Sequence, residues 1–338
     1  MKIQNNKKTE QVEVCPCCMS SKIEIHVKSI KDILFKSSEL NWDISKCKDC
    51  KSLFLSTRYK EEYISEAYAQ YYTHESEDSS NTFIRKLLIK KYIRLIFIQL
   101  LKKNNFFSSL LNSIVNSLFK VKKNQYDRDL RFLQKISTKK NLLDIGCGNG
   151  DFLLIAEELG YKAFGIDTDP KAYDQAQKKI KEVKLGSIDK AKEFNILFDV
   201  ITISHVLEHV YDIHYLIKSC SSLLNKDGKI FIEYPNPDSY CSLFFQESWR
   251  GLEPPRHIVL PTINALTNIL SKNGFAIEKQ HPTISAFNYI YSQSFQIYCV
   301  TSIKESKDFE KIKSKFKQTN YVKDIARHEF IALTAIKI

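Results

Sequence analysis

From Asn141 onward the chain alternates short apolar runs with longer amphipathic ones. NLLDIG is brief and apolar, the mark of a buried strand. DFLLIAEELG follows with apolar residues at helical spacing and closes on Gly160, a residue suited to the end of a helix. KAFGID reads as a second strand, and PKAYDQAQKKI as a helix with Pro170 in its first turn, where proline is tolerated. KEVKLGS is a weak third strand and FDVITIS a fourth, followed by a helix to about Leu224. GKIFIEYP is a fifth strand, residues 262–273 a helix, FAIEKQ a sixth strand and EFIALTAIKI a seventh. Strands alternating with helices predict an α/β fold: a mostly parallel seven-stranded sheet with helices on both faces.

The first third of the chain has a different texture. Residues 14–56 set β-like stretches such as KIEIHVKSI between cysteine pairs. Residues 59–80 are rich in tyrosine and acid, and residues 81–125 are apolar and basic together. These shifts divide the chain into a small cysteine module (1–58), a Tyr-rich segment with a helical insert (59–125) and the α/β domain (126–338). The length, 338 residues, exceeds one ordinary domain of roughly 100–200 residues.

Fifty-one Lys and Arg against 39 Asp and Glu give a formal charge of +12, which suits nucleic acid, an anionic surface or an acidic ligand. Lysine is spread over the whole chain, so the average is a compositional trait. Only residues 81–123 concentrate basic side chains among long apolar stretches. That insert reads as a lid, a dimer contact, an amphipathic helix lying on a membrane surface or a nucleic-acid contact. No run of 18 uncharged apolar residues is present to span a bilayer. The first residues lack the apolar core of a secretory leader, which predicts a cytoplasmic protein, with membrane association through 81–123 as the variant. The pattern carries no signal for oligomeric state.

Five of the nine cysteines fall in the first 50 residues. Without secretion, clustered cysteines point to metal rather than disulfides. Cys15 and Cys18, then Cys47 and Cys50, form two C-x-x-C pairs, with Cys17 to spare. Four thiolates suit tetrahedral zinc and leave no open position, so the expected ion is structural. The stretches between the pairs can form a ribbon hairpin, and Lys46 and Lys48 favour the thiolates.

The sharpest local signal is Asp144-Ile145-Gly146-Cys147-Gly148-Asn149-Gly150, directly after a strand and before a helix. Glycines let the backbone turn and approach a ligand where a Cβ would collide, and the helix start offers N–H groups. Asp167 ends the next strand, where an acid can accept both ribose hydroxyls of a nucleoside. The G-x-G-x-G spacing and an acid within the first strand disfavour a nicotinamide dinucleotide. Asp144 suits a ligand with an ammonium group, such as the methionine part of S-adenosylmethionine.

LLDIGCGNGDFLL, FGIDTDP, FDVITISHVLEHV and GKIFIEYPNP, in that order, resemble class I S-adenosylmethionine-dependent methyltransferases, whose sheet is Rossmann-like. The closest likeness is to ubiquinone-biosynthesis O-methyltransferases and bacterial glycan or small-molecule methyltransferases, over about residues 126–280. The resemblance implies cofactor contacts from Asp144, Gly146, Cys147, Gly148, Asp167, Thr168, Ser187 and Ser204. A tyrosine in the segment before the sheet, here Tyr72, would fold over the cofactor. It implies a small-molecule or glycan hydroxyl as acceptor.

The resemblance also places Ser204-His205-Val206-Leu207-Glu208-His209 beside the reacting methyl group. His205 and His209 would share one helical face, and a histidine of ordinary pKa suits removal of the acceptor's proton. Some relatives bind a divalent metal through Glu-x-x-Glu-His here; this chain has His205 for the first Glu, leaving a His205, Glu208, His209 set. The loop Trp249-Arg250-Gly251-Leu252-Glu253-Pro254-Pro255-Arg256-His257 follows the fifth strand. Arg256 would grip an acceptor's carboxylate or phosphate, or else pair internally with Glu, and His257 is a second base. The competing readings are an RNA base methyltransferase and a catalytically inactive binding protein. Nucleic acid is disfavoured because no Asn/Asp-Pro-Pro-aromatic motif follows the fourth strand.

Overall fold

The computed structural model describes residues 7–68, 120–302 and 323–338. Tyr72 and residues 81–119 of the basic insert lie outside these described residues. All seven expected strands form: β6 (Lys140–Ile145), β7 (Tyr161–Asp167), β8 (Val183–Leu185), β9 (Phe198–Ser204), β10 (Leu224–Pro235), β12 (Phe275–His281) and β13 (Phe330–Lys337). They make one mixed sheet in the order β12-β13-β10-β9-β6-β7-β8. By compactness the chain divides into two units, Thr73–Thr202 and Met1–Tyr72 with Ile203–Ile338.

In the unit Thr73–Thr202, β6 pairs parallel with β7 and β7 parallel with β8. Helices α1 (Lys120–Asp129), α2 (Asp151–Glu158) and α3 (Pro170–Ala176) accompany them. Asp169 caps α3 by accepting from Lys171 N, with Pro170 directly after it as predicted. Leu142, Leu153, Ala156, Leu159, Ala163 and Ile180 meet in one buried cluster. Each large aliphatic side chain enclosed there contributes about 1.5–3 kcal/mol.

In the other unit β13 lies antiparallel to both β10 and β12. Helix α4 (Ile213–Leu223) packs on β10 and α6 (Ile263–Lys272) on β12, while α5 (Tyr240–Phe245) and α7 (Phe287–Ser302) pack on each other. On α4, Ile213, Leu216, Ile217, Cys220 and Leu223 form the buried stripe that its spacing requires. Strand β1 (Thr9–Gln11) pairs with β5 (Thr57–Tyr59). A second sheet of four antiparallel strands has the order β11-β4-β3-β2, from β2 (Ile23–Ile30), β3 (Trp42–Cys47), β4 (Leu53–Leu55) and β11 (Val259–Leu260). The ribbon hairpin expected between the cysteine pairs is β2–β3. Its sheet borrows β11 from a point 200 residues on, a pairing with no local signature.

The helix expected from Ser204 to Leu224 starts only at Ile213, capped by Asp212, whose side chain accepts from Tyr215 N. Residues 204–212 are irregular apart from a 3₁₀ turn at Leu207–His209. His205 has φ of 55°, left-handed backbone that interrupts a helix, and its N–H donates to Glu233 O at 2.8 Å. His205 and His209 therefore do not share a helical face.

Candidate active site

The glycine loop 146–150 is folded onto β7. Gly146 N and Cys147 N donate to Ile166 O at 2.9 and 3.1 Å, and Gly148 N to Asp167 Oδ2 at 2.7 Å. Gly150 N bonds Cys147 O, and Asp151 N bonds the Asn149 side chain. The amides of Gly146, Cys147 and Gly148 are therefore spent on β7 and its terminal acid rather than presented to a ligand. What the loop offers is close approach. Gly148 has φ of 55°, and a Cβ there would meet nothing within 4 Å. Beneath it Cys147 is buried, and burial pushes its thiol up. Gly165 on β7 makes room for it: a Cβ there would come within 2.8 Å of the Cys147 sulfur.

Asp167, at the end of β7, accepts from Gly148 N with Oδ2 and from Asp169 N with Oδ1, at 2.7 and 2.9 Å. Two backbone donors fix the plane of the carboxylate, and each oxygen keeps a further lone pair. Thr168 beside it is exposed, as is Ser187 after β8, where a 3₁₀ helix Ile188–Phe194 begins. Asp144 on β6 is fully enclosed and bound by Arg131 Nη1 and by Thr202 Oγ1, the latter at 2.9 Å. Burial pushes its carboxyl up, against the pull of Arg131 and Thr202. The cation at Asp144 is thus internal. Arg131, held over the Phe152 ring, had no sequence pattern to reveal it.

A second cluster forms in the unit Met1–Tyr72 with Ile203–Ile338. Ser204 ends β9 half-buried, and His205 follows with its ring 3.2 Å from both Glu208 and Glu233. Burial works to lower the pKa of His205. The two carboxylates outweigh it and push it up to about 9, so the ring is a cation at neutral pH. Glu208 is enclosed, and its Oε2 meets no hydrogen-bond partner among the described residues.

His209 Nδ1 lies 2.9 Å from Arg256 O and 3.0 Å from the Tyr68 hydroxyl. A carbonyl only accepts, so Nδ1 carries the proton and Nε2 a lone pair. His257 repeats this device, with Nδ1 2.7 Å from Gly251 O. Burial lowers the pKa of both histidines, which are neutral at pH 7. Their rings meet edge-on at 4.9 Å between centroids. Glu208, His209 and His257 each bring one ligand atom within 4.8 Å of the others. His257, not His205, completes this group. Ring N–H groups tied to carbonyls are how metal-ligating histidines are usually held.

Arg256 is fully enclosed. Its Nε donates to Glu253 at 2.9 Å and its Nη1 to Asp32 at 3.0 Å. This is the internal pairing offered above as the alternative to an acceptor grip, and Asp32 is a partner that sequence reasoning missed. Glu329, also enclosed, accepts from Cys241 N, and burial raises its pKa to about 8. The fold therefore favours its protonated form. Stability should fall as pH rises from about 4.5 to 8, by on the order of 5 kcal/mol, and stay level above. Glu329→Gln should flatten that slope in urea titrations at stepped pH and be the more stable chain at pH 9. An unchanged slope would remove Glu329 as its source.

In the cysteine module, Cys15 Sγ lies 3.5 Å from Cys50 Sγ, and Cys18 Sγ 3.5 Å from Cys47 Sγ. All four sulfurs lie within 4.8 Å of one another. Tetrahedral zinc with bonds of about 2.3 Å wants sulfurs about 3.8 Å apart. Hydrogen bonds from Cys15 and Cys17 hold the Cys50 thiol well below its ordinary value. Cys17 is buried outside the set, and its carbonyl is 3.1 Å from His214 Nε2.

A methyltransferase-domain family matches residues 122–280. A ubiquinone biosynthesis O-methyltransferase of Coxiella burnetii is 34% identical over 121 residues, covering 33% of this chain and 50% of that protein. The Pelagibacter ubique protein of the same name is 38% identical over 114 residues, covering 31% and 46%. The chain spans about half the length of the curated relatives it matches. A solved S-adenosylmethionine-dependent methyltransferase from Archaeoglobus fulgidus aligns at 20% identity with a TM-score of 0.41, over 69% of this chain and 100% of that one. Residues 122–280 thus match a methyltransferase domain, and the seven-stranded order with the glycine–acid motif of β6 accompanies that match.

Proposed function

We propose that the chain binds S-adenosylmethionine at the Gly146–Gly150 loop and Asp167 and transfers its methyl group to a hydroxyl of a small-molecule or glycan acceptor. The acceptor class rests on likeness to O-methyltransferases and suits surface-polysaccharide or secondary biosynthesis. The observation that carries the cofactor reading is the Asp167 carboxylate, set by two backbone donors beside an open glycine face. A fixed carboxylate can accept both ribose hydroxyls without first losing side-chain freedom. Cys147 supports the loop from beneath, and Thr168 and Ser187, after β7 and β8, serve as further cofactor contacts.

Methyl transfer needs an aligned oxygen and a place for its proton. Nε2 of His209 offers a lone pair to the acceptor's O–H, and His257 Nε2 is a second. His205, a cation between Glu208 and Glu233, donates rather than accepts. Arg256 acts from behind, through the carbonyl that fixes His209.

As an alternative to that proton route, Glu208, His209 and His257 fit a divalent cation: each brings one ligand atom within 4.8 Å of the others, and Glu208 has an enclosed oxygen lacking a partner among the described residues. When bound, such a cation would lower the pKa of a hydroxyl. Cys15, Cys18, Cys47 and Cys50 would hold a structural zinc. Among the described residues no helix is long and apolar enough to cross a membrane.

Calorimetry with S-adenosylhomocysteine tests the cofactor reading. The full chain should bind it, and Asp167→Ala should weaken binding roughly 10- to 100-fold, the effect of losing charge-assisted hydrogen bonds. Equal affinity in both proteins would remove Asp167 from the site.

A further inference from the structure

We infer that the cysteine module is part of the histidine centre: Asp32, at the tip of its hairpin, positions His209 through Arg256. This rests on the methyltransferase reading and deepens it. Two connections run from the module into the centre.

The first is the hairpin tip. Asp32 accepts from Ser37 N, Ser37 Oγ and Phe35 N, so the turn after β2 holds its carboxylate in place. That carboxylate meets Arg256 Nη1 at 3.0 Å, and Ser37 Oγ meets the same nitrogen at 2.7 Å. The Arg256 guanidinium lies 4.4 Å from the centroid of the Phe35 ring. A planar fork with partners at Nε and Nη1 has one orientation. Arg256 O receives the Nδ1 proton of His209. Asp32 is thus two steps from the ring it orients.

The second connection is the shared sheet. β11 begins two residues after His257 and pairs with β4 of the module, and Leu55 N donates to Ile258 O at 3.1 Å. On its other side Ile258 N donates to Glu208 O at 2.8 Å. One extended stretch therefore joins the module, His257 and Glu208. A module serving only to hold a partner would have no need to end inside this cluster.

The test reads the His209 ring directly. The zinc-loaded full chain, labelled with ¹⁵N-histidine, is measured by long-range ¹H–¹⁵N correlation, with His209 assigned by its absence in His209→Asn. The wild type should show a neutral ring protonated on Nδ1. Asp32→Asn keeps the shape but removes the charge that holds Arg256. It should lose this signature, giving a ring averaged between Nδ1–H and Nε2–H, while bound zinc and affinity for S-adenosylhomocysteine are retained. Ser37→Ala removes one hydroxyl from the same contact and should give a smaller change in the same direction; it decides the matter where Asp32→Asn does not fold. A His209 signature unchanged in the folded variants overturns the positioning role. Failure of the wild type to bind S-adenosylhomocysteine overturns the methyltransferase reading instead, and the spectra still report on Asp32.

Discussion

Replacing His209 with asparagine should lower methyl transfer roughly 10²- to 10⁴-fold, the usual effect of losing a positioned proton acceptor. Asparagine is the informative choice. Its amide nitrogen can take the place of Nδ1 and still donate to Arg256 O, so the loop stays held while Nε2 disappears. S-adenosylhomocysteine affinity should therefore be unchanged. The measurement is single-turnover release of S-adenosylhomocysteine with an acceptor chosen from a panel of hydroxylated aromatics and sugars. His205→Gln should be milder, because a ring already protonated near pH 7 is not the proton acceptor. If His209→Asn turns over at the wild-type rate, the proton leaves by another route. The cation reading has its own check. The zinc-loaded chain should bind one Mn²⁺ detectable by electron paramagnetic resonance, and both His209→Asn and His257→Asn should weaken that binding sharply.

Cys47→Ser should abolish zinc binding and unfold the module. Structural zinc contributes on the order of 10–16 kcal/mol of apparent binding free energy in small zinc domains. The few large side chains enclosed in the module, chiefly Trp42, Phe54 and Leu55, at about 1.5–3 kcal/mol each, do not replace that. The damage should spread, because Thr262 Oγ1, which caps α6, also donates to Cys50 O at 2.8 Å, and β11 pairs with β4. Elemental analysis should find one zinc in the wild type and none in Cys47→Ser, with a clear drop in Tm. Cys17→Ser is the control and should keep its zinc, since Cys17 lies outside the four-sulfur group. Retention of tightly bound zinc by Cys47→Ser would refute the assignment.

The α/β domain was legible because its signals are local. A strand that ends in Asp144 and turns at Gly146, Gly148 and Gly150 can be read within a dozen residues. The two C-x-x-C pairs were legible for the same reason, since two thiols three apart face one point whatever surrounds them. The histidine centre was only half legible. Glu208 and His209 could be picked out, but a helix was expected where the left-handed backbone of His205 breaks one. The proton state of His205 was also misjudged, because Glu233 comes from β10 and has no sequence link to it.

Arg256 shows the limit most clearly. In sequence it is an arginine beside a histidine in a loop, equally suited to gripping an anion or pairing with Glu253. Its partner Asp32 is 224 residues away, and nothing local to either residue announces the other. Residue order alone settled the strand sequence, the glycine turn and the four thiols, because each depends on neighbours along the backbone. Which histidines are neutral, which arginine is enclosed and which acid keeps an unsatisfied oxygen were decided by distant segments meeting in space. Those segments set the solvation and hydrogen bonding of every group, and through them its charge.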